Sequence, residues 1–184
     1  MANGVKRYEN CPVFLYTENG NNIGQTVITE HDRHNVSIVV PDTFSDITSG
    51  ARLNVLIIYD GGASEYNGIA RGISAGGREI SLFNQRQRDS REATRHAVNL
   101  PALIEHQIID LERRPLPAPL NVVIDNISTS GALIKSPVGL FARGTYLEIL
   151  FQVSGSENLL FGEIVRLRQN VDNTWDYGYK FITH

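Results

Sequence analysis

The organisation of this chain is decided by a polar segment near its middle, NQRQRDSREATR at residues 84–95. Apolar residues stop there, and four arginines fall within ten positions: Arg86, Arg88, Arg91 and Arg95. Such a change in composition is typical of a joint between domains. With 184 residues, the chain has room for one ordinary domain or two small ones. We therefore predict one domain over residues 1–85 and a second over residues 86–184, which begins with the arginine-rich linker 86–95.

Both halves carry the sequence pattern of β-strands. Short runs rich in Val, Ile, Leu, Tyr and Phe alternate with Gly, Asn, Asp and Ser, which favour turns. Strands this short and this closely spaced predict antiparallel barrels or sandwiches rather than βαβ units. The predicted strands cover residues 13–17, 25–29, 35–40, 52–59, 65–72 and 79–83 in the first half, and residues 120–124, 131–135, 145–153, 158–167 and 175–182 in the second.

Two segments of the second half do not follow this simple pattern. Residues 100–111 place apolar side chains at spacings that fit a strand and also fit a helical stripe, with Pro101 near the first turn of such a helix. The pattern alone leaves both possibilities open. Residues 112–119 contain two arginines and three prolines, and this composition predicts a surface loop.

Composition and charge exclude several classes of protein. The net charge of -3 argues against a general electrostatic attraction to nucleic acid or to an anionic membrane, so an anionic ligand would need a local cluster of positive charge. A single cysteine, Cys11, excludes an internal disulfide and a cysteine-based zinc site, and it suits a reducing compartment. Neither a membrane-spanning apolar stretch nor a signal-peptide core is visible. We expect a cytoplasmic protein without membrane insertion.

Two short motifs raise the possibility of catalysis or metal binding. GISAG at residues 72–76 matches the nucleophile elbow of serine hydrolases, which would make Ser74 the nucleophile. The following residues read as another strand rather than a helix, so a hairpin connection is favoured. His31, Asp32 and His34 could offer metal ligands, but no further ligands follow at the spacing of a zinc site, and a turn is favoured. We therefore predict no catalytic residue, no metal site and no cofactor.

Two polar elements remain, and their chemistry is complementary. Arginines of the linker offer planar donor groups that pair with phosphate oxygens and with the O6/N7 edge of guanine. NISTSG at residues 126–131 follows an apolar strand; its Asn and Ser can hydrogen-bond a base edge, and its Gly lets the backbone approach closely. A ligand that carries both phosphates and guanines would use both elements.

At these residues the sequence resembles the PilZ domain family, which binds the bacterial second messenger cyclic di-GMP. That family carries R-x-x-x-R ahead of its first strand, matched here by REATR at residues 91–95, and [DN]-x-S-x-x-G on its barrel, matched by residues 126–131. GTYLEI at 144–149, GEIV at 162–165 and YGYKF at 177–181 are similar to later strands of the family. The resemblance covers about residues 86–184.

The resemblance implies an all-β fold in which a PilZ-like barrel follows a first small antiparallel barrel in tandem, with residues 100–111 as the first PilZ strand. It implies that Arg91 and Arg95 bind the phosphates and guanine faces. It also implies that Asn126 and Ser128 bind a guanine edge, and that Gly131 permits close approach.

One position departs from the family pattern. Many relatives carry a second arginine just before the R-x-x-x-R motif, where this chain has Ser90, and Arg88 is the nearest arginine upstream. Since that position influences whether one ligand or a stacked pair is bound, the sequence leaves the stoichiometry open.

The first half is similar to the N-terminal barrel of flagellar-brake proteins. This likeness implies a cyclic di-GMP receptor that changes its interdomain arrangement on binding and regulates motility or a related bacterial behaviour. Its protein partners would be flagellar motor components or other proteins, and control of exopolysaccharide or virulence is equally open. Two other readings remain open. One is a PilZ-like adaptor that acts only through protein contacts, and the other is an esterase-type enzyme that uses Ser74.

Overall fold

The chain folds into two closed antiparallel barrels in tandem, with six strands in each. This computed structural model describes residues 8–32, 34–39, 44, 47–59, 62–74, 77–85 and 94–182. Over these residues the prediction of an all-β chain with two small barrels is confirmed.

The first barrel contains strands β1 to β6 in the spatial order β1-β2-β3-β6-β5-β4. It closes because β4 pairs with β1, with Val13 opposite Ile57. Alternating residues point inward and form its core, in which Leu15, Ile28 and Ile80 are fully buried. The strands are Pro12–Thr17, Asn22–Asp32, Asn35–Ile38, Arg52–Tyr59, Gly62–Ser74 and Gly77–Phe83.

The second barrel contains strands β7 to β12 in the spatial order β10-β11-β12-β9-β8-β7. It closes between β7 and β10, with Leu103 opposite Leu150. Ile124, Leu147 and Leu160 are fully buried inside it. The strands are His96–Ile109, Glu112–Ile127, Gly131–Ser136, Tyr146–Val153, Ser156–Gln169 and Trp175–Phe181.

Strand β7 settles the segment that the sequence left open between strand and helix. From His96 to Ile104 its residues alternate strictly between buried and exposed or half-buried, as in a strand with one face on a core. A helical stripe would also need Leu111 in the core, but that side chain is 98% exposed in the turn after the strand. The family resemblance therefore predicted the right structure for residues 100–109, and the strand ends at Ile109, before the turn.

The predicted surface loop at residues 112–119 is wrong, because these residues form the first half of β8. The prolines are tolerated because, among the described strands, this half of β8 pairs with β7 alone; β9 pairs with residues between Val123 and Ile127. Pro115 lies opposite His106 of β7. The prediction that the segment lies at the surface is correct, since all but one of its residues are exposed.

The hairpin at the tip of β7 and β8 explains the position of Pro115. Asp110 and Leu111 have φ values of 53° and 66°, which fits a two-residue turn closed by the pair Ile109–Glu112. Pairs that exchange hydrogen bonds then alternate with pairs that do not, beginning with the closing pair. Counting from it, Pro115 turns its nitrogen away from β7, so its missing N–H costs no hydrogen bond between the strands.

The two motifs that raised catalysis or metal binding both lie in hairpins. Ser74 at the end of β5 lies opposite Gly77 at the start of β6, which confirms the hairpin connection at GISAG. Asp32 pairs with Asn35 where β2 turns into β3, which confirms the turn interpretation there. His31 packs on the ring of Tyr8, with ring centroids 5.0 Å apart, and its Nδ1 accepts a hydrogen bond from the Tyr8 backbone.

The sequence predicted a boundary between the two domains. The predicted boundary between residues 85 and 86 falls between β6 and β7, and it stays a prediction because residues 86–93 are not among those described.

Over the described part of the chain, no helix has the length and apolar character needed to cross a membrane.

Candidate functional site

The register of the β7–β8 hairpin brings the last residue of the first predicted motif, Arg95, next to the second motif. His96 at the start of β7 lies opposite Ile127 at the end of β8, and Ala97 lies opposite Asn126. Arg95 immediately precedes β7 and therefore lies beside the turn that follows β8. Residues about thirty positions apart in sequence thus meet at the open end of one hairpin.

Arg95, Asn126, Ser128 and Gly131 line one cavity of about 400 Å³ on the surface of the second barrel. The predicted residues Arg88, Ser90 and Arg91 fall in segment 86–93, which the structure does not describe, so their roles stay predictions. Four of the seven predicted site residues are therefore brought together. Other residues that line the cavity include Ser130, Arg166, Gly178 and Lys180.

Ser128 holds the turn in shape. Its backbone N–H donates to the carbonyl oxygen of Gly131 at 2.8 Å, and its hydroxyl donates to the same oxygen at 3.2 Å. The backbone N–H of Ser130 in turn donates to the Ser128 hydroxyl at 3.4 Å. Ser128 is buried, so these contacts fix the turn between β8 and β9 before any ligand arrives.

Gly131 is required by the barrel itself. It pairs with Lys180 of β12, and a Cβ atom at position 131 would lie 2.1 Å from the carbonyl oxygen of Tyr179. No side chain fits there without moving a backbone. Close approach of a ligand is thus not the only reason for a glycine at this position.

A β-bulge sets the direction of the Asn126 side chain. Ile124 pairs with Ile134 and Asn126 pairs with Leu133, so two residues of β8 stand opposite one residue of β9. Such a bulge breaks the normal alternation of side chains and re-aims one of them. Asp125 and Asn126 consequently come into contact, and Asn126 Nδ2 donates to Asp125 Oδ2 at 3.0 Å.

The cavity is positively charged. Arg95, Arg166 and Lys180 line it, and none of them forms an ion pair with another residue that the structure describes. Unpaired cations at one cavity attract an anion, and this local charge is present although the whole chain carries a net charge of -3.

Sequence reasoning missed Arg166 and Lys180. Arg166 lies opposite Gly178, where its Cβ is 3.2 Å and its Nε 3.7 Å from the place of a glycine Cβ, so the absent side chain leaves room for the arginine. The available signal was the alternation along β12, where buried Tyr177 and Tyr179 leave Gly178 and Lys180 on the outer face.

A larger cavity of about 940 Å³ on the same barrel is lined by cations that each form an ion pair with an acidic side chain. Lys135 forms an ion pair with Asp125, and Arg168 Nη2 lies 2.6 Å from Asp176 Oδ2. The Asp125 carboxylate raises the pKa of the Lys135 amine. Since each cation here has an acidic partner, the smaller cavity with its unpaired cations is the better site for an anion.

Asp176 is the buried acid of this larger cavity. Burial raises its pKa, but hydrogen bonds from Asn170 and Arg168 outweigh burial and lower the pKa overall. Asp176 is therefore held as a carboxylate by its neighbours. Within the described segments, no group of three or more His, Cys, Asp or Glu side chains is arranged to hold a metal ion.

The family follows from a comparison with family models. The PilZ domain model matches residues 85–184, more than half of the chain. This chain belongs to the PilZ family. The match contains the whole second barrel of this PilZ protein and both sequence motifs. The PilZ barrel thus carries the cavity described above.

Solved structures similar to this PilZ protein were also found. MotI/DgrA of Bacillus subtilis, an inhibitor of motility, is 12% identical, with a TM-score of 0.40 over 98% of this chain and 90% of the other. The complex of MrkH from K. pneumonia with c-di-GMP is 13% identical, with a TM-score of 0.37 over 95% and 80%. The complex of Escherichia coli YcgR with c-di-GMP is 8% identical, with a TM-score of 0.38 over 95% and 76%. No curated protein sequence matches this chain.

Proposed function

We propose that this PilZ protein is a cytoplasmic receptor for cyclic di-GMP that acts by binding rather than by catalysis. The observation that carries the proposal is the cavity of about 400 Å³ where Arg95 and the motif residues of the β8–β9 turn lie beside Arg166 and Lys180. None of these three cations forms an ion pair with another described residue. Cyclic di-GMP is a dianion with two guanine bases, and arginines can pair with its phosphates and with guanine edges. In this proposal Arg91 and Arg95 bind phosphates and guanine faces, and Asn126 and Ser128 bind a guanine edge.

The test is calorimetric titration of the full chain with cyclic di-GMP. A micromolar ligand corresponds to about -8 kcal/mol, and a bidentate arginine–guanine pair contributes roughly 1–3 kcal/mol. We expect Arg95→Ala, and equally Arg91→Ala, to weaken binding about tenfold or more.

Arg114→Ala is the matched control. It removes an equal charge from an exposed arginine that contacts Glu112 near the tip of the β7–β8 hairpin. Its affinity for cyclic di-GMP should stay close to that of the original chain. Unchanged affinity in both Arg91→Ala and Arg95→Ala would remove the proposed site. The absence of heat with the original chain would favour an adaptor that acts only through protein contacts.

The proposed response is a change in the arrangement of the two barrels. An arginine-rich linker costs conformational entropy to order, and binding of a dianion to its arginines would offset that cost. The ligand can shift the arrangement only by its difference in affinity for the two states. Small-angle X-ray scattering should therefore change when cyclic di-GMP saturates the protein. Identical curves would disprove the switch and leave binding intact.

The behaviour that we propose is regulated is motility, through flagellar motor components as protein partners. The support is the resemblance of the first half to the N-terminal barrel of flagellar-brake proteins. Swimming of bacteria that produce the chain with Arg95→Ala should no longer respond to the level of cyclic di-GMP, whereas the Arg114→Ala chain should keep the response.

A further inference from the structure

Asn126 lies in the cavity with one side of its amide already committed. Its Nδ2 donates to Asp125 Oδ2 at 3.0 Å, and no other described residue donates a hydrogen bond to its Oδ1. A carboxylate only accepts hydrogen bonds, so turning the amide around would bring two acceptor oxygens together. The donor side of Asn126 is thus directed at Asp125, which leaves its acceptor free for a ligand.

Asp125 is itself fixed in place. Its Oδ1 forms an ion pair with Lys135 of β9, while its Oδ2 accepts from Asn126. Both carboxylate oxygens are used, and the Asp125 side chain is only 23% exposed. The β-bulge on β8 is what allows this arrangement, because it brings the neighbouring side chains of Asp125 and Asn126 into contact.

We infer that Asp125 is a positioning residue that selects guanine over adenine at this site, an inference that rests on the proposed function. The Watson–Crick edge of guanine carries N–H donors at N1 and N2, which an acceptor oxygen of Asn126 can receive. Adenine offers an acceptor at N1 and lacks the 2-amino group. A site built to receive a donor rejects an analogue that lacks it, because a buried polar group is left without a partner.

The test compares cyclic di-GMP with its adenine counterpart, cyclic di-AMP, by calorimetry on the full chain. Asp125→Asn is the sharpest variant. Lys135 would donate a hydrogen bond to the amide oxygen of the residue introduced at position 125. The NH₂ group of that residue would then face Asn126 and turn the Asn126 amide around. We expect the preference for cyclic di-GMP over cyclic di-AMP to fall about tenfold. Asp125→Ala frees the amide and should reduce the preference by a smaller factor.

The ratio of the two affinities is the readout because a purely structural or electrostatic role would not change it. Removing a negative charge near the cavity strengthens binding of both dianions alike. Asp172→Asn is the matched control: it removes one charge from an exposed carboxylate that contacts Thr174 and lies outside this cavity. Its ratio should equal that of the original chain.

The outcomes separate this inference from the proposed function. Suppose that the original chain binds cyclic di-GMP and that both Asp125 variants keep the ratio of affinities for cyclic di-GMP and cyclic di-AMP within twofold of the original. The inference about Asp125 is then overturned, while the proposed receptor function is retained. If the original chain does not prefer cyclic di-GMP over cyclic di-AMP, the inference is equally overturned. If it binds neither ligand, the receptor proposal fails and the inference fails with it.

A structure of the unaltered chain with cyclic di-GMP provides a second test that no folding defect can affect. We expect Asn126 Oδ1 within hydrogen-bonding distance of guanine N1 or N2, with Asp125 still accepting from Asn126 Nδ2. A guanine that contacts Nδ2 instead would overturn the inference.

Discussion

At the scale of single residues, two explanations can account for the glycine at position 131 of the motif. The resemblance implied that it lets a ligand approach, whereas the backbone of Tyr179 leaves no space for a Cβ atom there. The second explanation concerns the stability of the barrel and needs no ligand.

We therefore predict that Gly131→Ala destabilises the protein in the absence of any nucleotide. A Cβ forced to within 2.1 Å of a carbonyl oxygen must displace β9 or β12, and such overpacking costs about 2 kcal/mol or more. Chemical denaturation followed by far-UV circular dichroism measures this loss. Gly72→Ala is the control, because nothing lies within 4 Å of the place of its Cβ. Full stability of Gly131→Ala, combined with lost binding, would show that the glycine serves the ligand alone.

At the scale of elements, the β7–β8 hairpin shows which strands could be predicted from the sequence and which could not. Alternation predicted the buried part of β8 and, with the family resemblance, β7. It failed for residues 112–119, because proline composition does not reveal that a strand has a free edge. Which strands are neighbours is a property of the whole barrel.

For the site, too, the sequence predicted some residues and missed others. Its motif residues were predicted through the resemblance to the PilZ motifs, which are short and local in sequence. Arg166 and Lys180 were not predicted, because they reach the cavity through strand pairing. Asp125 was not predicted either, because it acts through its contact with Asn126 at a β-bulge. A one-residue bulge reverses which face a side chain occupies, and short-range alternation does not locate it.

The first half of β8 has no second neighbour among the described strands, and this edge leads to a prediction about self-association. Exposed edges with unpaired N–H groups pair with other chains, and prolines block this. Pro115 turns its nitrogen away from β7, and Pro117 and Pro119 follow at a spacing of two, in the stretch where the register with β7 shifts. Replacing all three prolines by threonine should therefore cause concentration-dependent association, measured by sedimentation velocity.

Ala118→Thr is the control for that variant. It adds a β-branched residue to the same exposed stretch of β8 without adding an N–H group. The single change should leave the protein in its original association state. Equal behaviour of the triple variant and the control would mean that the prolines do not protect this edge.

At the scale of the whole molecule, each barrel closes on itself and has its own apolar core. The only tryptophan of the chain, Trp175, lies in β12 of the second barrel and stacks on Tyr177. Its fluorescence therefore reports on the PilZ barrel, while circular dichroism reports on both barrels.

We predict that cyclic di-GMP raises the midpoint of the fluorescence transition and leaves one circular dichroism transition in place. A ligand at one hundred times its dissociation constant stabilises the state that binds it by about 2.7 kcal/mol, which raises the melting temperature of a small domain by about 10 °C. Thermal unfolding with both probes, with and without ligand, measures this shift. A single transition that moves as a unit in both signals would contradict independent barrels.

The position of the site at the open end of the β7–β8 hairpin also determines when the site forms during folding. Contacts near the turn at Asp110 and Leu111 close small loops, whereas the pair His96–Ile127 closes a loop of about thirty residues and costs more chain entropy. A hairpin that zips from its turn joins Arg95 to Asn126 last. In the proposed receptor, nucleotide recognition would thus depend on the pairs of the hairpin that form last.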